Sequence, residues 1–247
     1  MPVTPITCLG IDLAWSWRNP SGAAALSCGP EGCHVLALEH LLEDAALVAF
    51  VARHRGAASV LMVDAPLRVP NASGRRPCEA LVQARFGGRQ AAAYPSNRGL
   101  FARWGGVRGE RLVAQLAPLG VREASLDAAG TGHTVFECYP HAALVALGRL
   151  PRSLKYKRKS QPWPEARAAF RQAVELLAAQ DDPPISLPAS LRAELDPGAW
   201  RGRAYKARED RLDALVCAYV AALALRGRLE MLGTVSEGHI VVPREAA

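Results

Sequence analysis

Leu9-Gly10-Ile11-Asp12 and Val60-Leu61-Met62-Val63-Asp64 decide how this chain folds. Each is a short apolar run that ends on an acid. An unpaired carboxylate is costly to bury, so such an acid marks a strand whose end opens onto something other than core. Thr134-Val135-Phe136-Glu137 repeats the pattern a third time. Strands that lie adjacent and parallel bring the acids at their carboxyl ends to one edge of the sheet, where open α/β sheets bind ligands.

The intervening sequence fits such a sheet. Residues 6–15, 22–28 and 33–38 are apolar runs, the last two separated by the turn cluster Gly29-Pro30-Glu31-Gly32; together they read as an antiparallel meander. Residues 40–55 have helical periodicity through Leu41, Leu42, Ala45, Val48 and Val51. Residues 60–63 and 134–138 are strands, and 110–116 and 141–147 short helices. Two stretches interrupt the pattern. Residues 66–108, rich in Gly, Pro and Arg, read as an excursion with a short helix at 78–86. From 150 to about 208 seven prolines leave one convincing helix, at 165–179. A long Ala- and Leu-rich helix over 209–226 and a strand at 239–242 close the chain. The expectation is one domain over residues 1–247 with two excursions. Its fold class is α/β, with a three-strand meander, parallel strands and flanking helices in the element order of the RNase H-like superfamily.

Asp210 and Asp213, three residues apart, share a helix face. At the start of a helix over 209–226 they sit in its first turn, where the macrodipole favours acids. Capping accounts for one of them and leaves the other as a candidate ligand.

The chain carries a formal net charge of +7. Residues 66–108 hold eight arginines against one acid, and residues 149–171 eight Lys or Arg against one acid, so each segment nets +7 and the remainder −7. Two such concentrations point to patches facing a polyanion. In the first, Arg75, Arg76, Arg85 and Arg89 are expected to border the acidic cluster. The six cysteines form no C-x-x-C pair, and Cys28 and Cys33 flank a turn without the further ligands a zinc site needs. No leader is expected from residues 1–7, which lack a basic start and a long apolar core, and no apolar run is long enough to span a bilayer. The protein is therefore expected to be soluble, reduced and cytoplasmic.

With these residues in view, the chain resembles the predicted RNase H-like nucleases grouped as domain of unknown function 429. The resemblance is carried by Gly10-Ile11-Asp12-Leu13-Ala14-Trp15, Val63-Asp64-Ala65-Pro66-Leu67, Arg76-Pro77-Cys78-Glu79 and Glu137-Cys138-Tyr139-Pro140. It continues through Tyr156-Lys157, Asp213-Ala214-Leu215-Val216-Cys217-Ala218 and Glu237-Gly238-His239-Ile240-Val241-Val242-Pro243. Each motif alone is unspecific; the ordered set spans nearly the whole chain. The resemblance implies that Asp12 is the first-strand acid, Asp64 the acid after the fourth strand, and Asp213 the acid on the final helix. Glu137 and Glu79 match motifs of less clear role.

The leading expectation is hydrolysis of nucleic-acid phosphodiesters by two carboxylate-held metal ions, Mg2+ or Mn2+, because converging carboxylates need hard cations. Asp12 would bridge both ions, with Asp64 and Asp213 each completing one side and Asp210 or Glu137 as a further ligand or acceptor. Arg75, Arg76, Glu79, Tyr156 and Lys157 would contact substrate. Lys157 is expected on a loop folded back over the site, with Tyr156 beneath it. Two other readings share the sheet. An actin-like phosphotransferase or ATPase needs glycine-rich phosphate hairpins, and only Asp127-Ala-Ala-Gly-Thr-Gly132 resembles one. A non-catalytic nucleic-acid-binding protein keeps the fold without turnover. The sequence does not specify an oligomeric state.

Overall fold

A computed structural model describes residues 6–245; most of the stretch read above for a leader, 1–5, lies outside them. The chain begins with strands β1 (Ile6–Asp12), β2 (Ser21–Gly29) and β3 (Gly32–Leu41), then helix α1 (Asp44–His54) and β4 (Ser59–Val63). Helices α2 (Pro77–Phe86), α3 (Arg98–Ala102) and α4 (Arg108–Leu116) follow, then β5 (Val121–Glu123), β6 (His133–Glu137) and α5 (Pro140–Leu147). The second excursion holds α6 (Trp163–Ala178), β7 (Ile185–Ser186) and α7 (Ala189–Leu195). The chain ends with α8 (Gly202–Ala224), β8 (Leu229–Thr234) and β9 (Gly238–Pro243).

Seven strands form one sheet in the order β5-β6-β4-β1-β2-β3-β7. The β1–β2–β3 meander is antiparallel, while β4, β6 and β5 run parallel to β1. This is the RNase H-like arrangement, flanked by helices. β8 and β9 form a separate antiparallel pair. The short runs β5 and β8 were not legible in the sequence as strands.

The central strands are buried on both faces, which explains their nearly continuous apolar character. On one face, Cys8, Met62, Phe136 and Cys138 pack with the apolar side of α8. On the other, Leu9, Ile11, Val63 and Val135 meet Leu47 and Phe50 of α1 and Leu112 of α4. The approach of α8 is close enough to dictate two glycines. A Cβ on Gly10 would lie 2.0 Å from the Ala214 carbonyl oxygen, and one on Gly22 would lie 1.9 Å from the Asp210 carbonyl oxygen.

Two expectations are corrected here. α8 begins at Gly202 rather than near 209, so Asp210 and Asp213 lie in its third and fourth turns. The macrodipole acts mainly within the first turn, and neither acid is a helix cap. The Arg- and Ala-containing stretch ahead of Glu209 has no apolar periodicity, yet these are good helix formers. The second correction concerns the thiols. The β2–β3 turn sets Cys28 directly across from Cys33, and the two are joined as a disulfide. Cys8, Cys78, Cys138 and Cys217 are free and buried. Among the described residues no helix is long and apolar enough to cross a membrane.

Candidate metal centre

The register of the parallel strands builds the site. Ile11 pairs with Val63, and Val63 with Glu137. Asp12 and Asp64 are each one residue further on, at the same level and on the same face. That face is the one covered by α8, which adds Asp213 from above. One carboxylate oxygen from each of Asp12, Asp64 and Asp213 lies within 4.8 Å of the others. Asp12 and Asp64 are half-buried, and Asp213 is fully buried.

Burial raises the Asp12 carboxyl well above the usual range; Lys157 opposes this, and Asp213, Asp64 and Asp210 reinforce it. Burial likewise pushes Asp64 up to about 7, against the pull of Lys157. Such a cluster holds a cation or a proton. Lys157 supplies part of the counter-charge, with its Nζ 2.5 Å from Asp213 Oδ2. Burial alone would lower the lysine, but Asp213, Asp12 and Asp64 hold it well above its usual range.

Tyr156 is buried beneath the cluster and donates its hydroxyl to Asp213 Oδ1 at 2.5 Å. Its ring stacks on His141 at 4.9 Å. Tyr205 donates to the Tyr156 carbonyl at 2.7 Å, fixing the loop that carries Lys157. His141 was not singled out in the sequence. Its place beside Pro140 in an apolar helix gives no hint of its neighbours. Burial, with Lys157 beside it, lowers its imidazole to about 3.

Asp210 stands at the edge of this group. His40 of β3 lies 3.1 Å from Asp210 Oδ2, and Lys206 pairs with Oδ1. Burial would raise Asp210, but its bonds with His40, Lys206 and Asp12 lower it. Asp210 is thus an acceptor behind Asp12 and is not one of the three grouped ligand atoms.

Glu137 departs from expectation. Strand parity puts it level with Ile11 and Val63, on the sheet face opposite Asp12 and Asp64; the position equivalent to those acids is Cys138. Glu137 instead receives a two-pronged bond from Arg76 (Nη1–Oε2 2.8 Å, Nη2–Oε1 2.6 Å) and the Leu67 N–H at 3.1 Å. Arg76 also donates through Nε to Glu79 Oε1 at 2.8 Å. Glu79 Oε2 accepts the backbone N–H of Arg76 and of Ser96. All three side chains are buried, with Arg76 1 % exposed. Arg76 and Glu79 were expected to meet substrate; they form an internal clamp under the turn that follows Asp64.

Most of the first basic segment is neutralised in the same way, though Arg103 lies against Trp104 instead. Arg68 pairs with Glu123, Arg85 with Glu230, Arg89 with Glu245, Arg98 with Glu110 and Arg108 with Asp44. The row of phosphate-binding arginines expected from Arg75 to Arg89 is therefore not present. Arg75 is exposed, and among the described residues it makes no ion pair.

The residues fit a divalent ion. All three donors are carboxylate oxygens, the donor type preferred by Mg2+ and Mn2+. Asp213 Oδ2 is buried and faces the Lys157 ammonium at 2.5 Å, a charge whose place a divalent ion can take.

Comparison with curated proteins and with solved structures returned no match. The family described as "Protein of unknown function (DUF429)" matches residues 10–237. That span runs from the end of β1 through β8 and holds all three grouped carboxylates, and the chain belongs to this family.

Proposed function

We propose that the protein is a metal-dependent nuclease that hydrolyses phosphodiester bonds at the Asp12–Asp64–Asp213 cluster. The observation that carries this reading is the convergence of three carboxylates, one of them fully buried, at the carboxyl edge of an RNase H-like sheet. Bound Mg2+ or Mn2+ would supply an acidified water and charge neutralisation at the phosphate. Asp12, which has Asp213, Asp64 and Asp210 as neighbouring charges, would hold metal together with the first two. Asp64 and Asp213 flank it. Asp210, fixed by His40 and Lys206, orients the Asp12 carboxyl. Lys157 balances the cluster before an ion arrives and can then turn to a phosphate oxygen. Tyr156 holds Asp213 from below.

The phosphotransferase reading is less well supported. It relied on residues 127–132, which lie at the opposite end of the sheet. Gly132 accepts from Ser59 at the start of β4, whereas the acids follow its end.

The test is cleavage of labelled single-stranded and duplex DNA and RNA with Mn2+ or Mg2+, beside an Asp12→Asn variant. The proposal requires ion-dependent cleavage that the variant loses while still binding substrate. Ion binding without cleavage of any substrate would leave a non-catalytic binding protein as the better account.

A further inference from the structure

The second basic segment is arranged differently from the first. Lys157 pairs with Asp213 and Arg171 with Asp196, but Arg158, Lys159 and Arg167 have no carboxylate partner among the described residues; nor do Arg201 and Arg208. They lie against aromatic rings instead. Arg158, Arg167 and Arg201 sit 4.8, 5.1 and 5.4 Å from the Trp163 ring. Arg208 lies 4.3 Å from Trp200, and the Lys159 ammonium 5.9 Å from Tyr94. Tyr94 is 68 % exposed and Trp200 49 %.

This surface is tied to the acidic cluster through the backbone. The Arg158 N–H donates to Glu209 at 2.8 Å, one helical turn before Asp213. Trp163 packs in a T-shaped contact with Tyr205, which holds the Tyr156 carbonyl. The Lys157–Lys159 turn therefore lies between the carboxylates and a row of cations and rings.

We propose that the surface from Tyr94 across Arg158 and Lys159 to Trp163, Arg201 and Trp200 is a track for single-stranded nucleic acid leading to the Asp12–Asp64–Asp213 site. The assignment names the substrate form for the hydrolase reading and rests on it. A guanidinium lying on a ring keeps the N–H donors along its edge free for a phosphate. With no carboxylate beside it, its charge is available to a polyanion. Exposed rings take the faces of bases, which are accessible only when the bases leave a duplex stack. Interleaved rings and unpaired cations select for a single strand and do not require a particular sequence.

The test is binding of fluorescent oligo-dT and oligo-U 20-mers, and of a 20-bp duplex, to the full chain in EDTA, where cleavage cannot interfere. Single strands should bind at least tenfold more tightly than duplex, and the dT and U arms show whether DNA or RNA is preferred. Arg158→Gln with Arg201→Gln should weaken single-strand binding at least tenfold and lower its salt slope by about 1.4, the value for two phosphate contacts. Tyr94→Ala should weaken binding about fivefold or more, as loss of one stacked base does, and leave the salt slope unchanged. Arg85→Gln, which removes a cation already paired with Glu230, is the control and should change binding little. Equal affinity for duplex, an effect of Arg85→Gln as large as that of the double variant, or full competition by polyglutamate would overturn the track. Mn2+ binding, measured separately by calorimetry, distinguishes the two proposals. Single-strand binding without ion-dependent cleavage defeats the hydrolase reading alone. Cleavage without single-strand preference defeats the track alone.

Discussion

Lys157 Nζ lies 2.5 Å from Asp213 Oδ2, so this buried oxygen has a lysine ammonium as its counter-charge. The lysine thus acts as a substitute cation. Removing it leaves three carboxylates facing one another in a poorly solvated site. Breaking a buried pair by deleting one partner costs about 3 kcal/mol or more. Lys157→Met should lower stability by about that amount in EDTA, and Mn2+ should recover more of the loss than it adds to the wild-type protein. Urea unfolding with and without Mn2+ measures both terms. Lys155→Met, which removes only a bond to the Gln90 carbonyl, should change stability little. Equal effects of the two substitutions would reduce Lys157 to general surface charge.

The opposite substitution should have the opposite sign. Asp64 titrates at about 7 because burial and the neighbouring carboxylates disfavour its charge, against the pull of Lys157. The ionised form is therefore carried at a cost at pH 8. Asp64→Asn should stabilise the metal-free protein there by about 1–2 kcal/mol and abolish stabilisation by Mn2+. A loss of stability in EDTA would mean that the carboxylate serves the fold rather than a ligand.

The sheet and its acids were largely legible in the sequence, because an apolar run that ends on an acid is a local signal. Asp12, Asp64 and Asp213 could be placed together from strand ends and a helix that packs on the sheet. Glu137 could not, since its face depends on a one-residue register relation to Val63 that no apolar pattern reveals. The start of α8 was missed because residues 202–208 are helical without being amphipathic. The partners of the arginines were also hidden. Arg85 meets Glu230 and Arg89 meets Glu245 across about 150 residues of chain, so a local excess of charge in 66–108 was mistaken for a free patch.

The Arg76 clamp yields a prediction about the fold. Arg76 satisfies Glu79 and Glu137 together, and Glu137 holds the Leu67 N–H in the turn after Asp64. Arg76→Met leaves two buried carboxylates without their cation and should cost about 3–5 kcal/mol. Arg76→Lys should not restore the loss, because an ammonium cannot make the two-pronged bond. Thermal unfolding of the two variants checks this. Recovery by lysine would show that charge alone matters.

Gly10 is tested by Gly10→Ala. Its added Cβ would meet the Ala214 carbonyl oxygen and the Ala218 nitrogen, at 2.0 and 2.3 Å. These are backbone atoms and cannot swing aside, so α8 must move. The expected loss is about 3 kcal/mol. Since α8 carries Asp213, the affinity for Mn2+ should fall even under conditions where the variant remains folded. Unchanged Mn2+ affinity in a folded variant would show that the helix does not set the site.

His239 gives the pH dependence a definite sign. It is 1 % exposed, and its Nε2 accepts the Glu137 N–H at 3.3 Å, so the ring is held neutral. Burial, with Arg76 and Arg68 nearby, lowers its pKa from 6.5 to about 4. Between these values the unfolded chain binds a proton that the folded protein refuses. The contribution is fully favourable above pH 6.5 and declines as pH falls towards 4, by at most about 1.4 kcal/mol per pH unit. Asp64, raised to about 7, contributes a slope of the opposite sign over much of the same range, so the wild-type curve alone does not isolate the histidine. The difference between wild type and His239→Gln does, because glutamine retains a polar group near Nε2 and does not titrate. The stability lost on His239→Gln should be largest at pH 7 and shrink towards pH 4.5. A difference that is constant with pH would show that His239 is protonated, or solvated, in the folded protein.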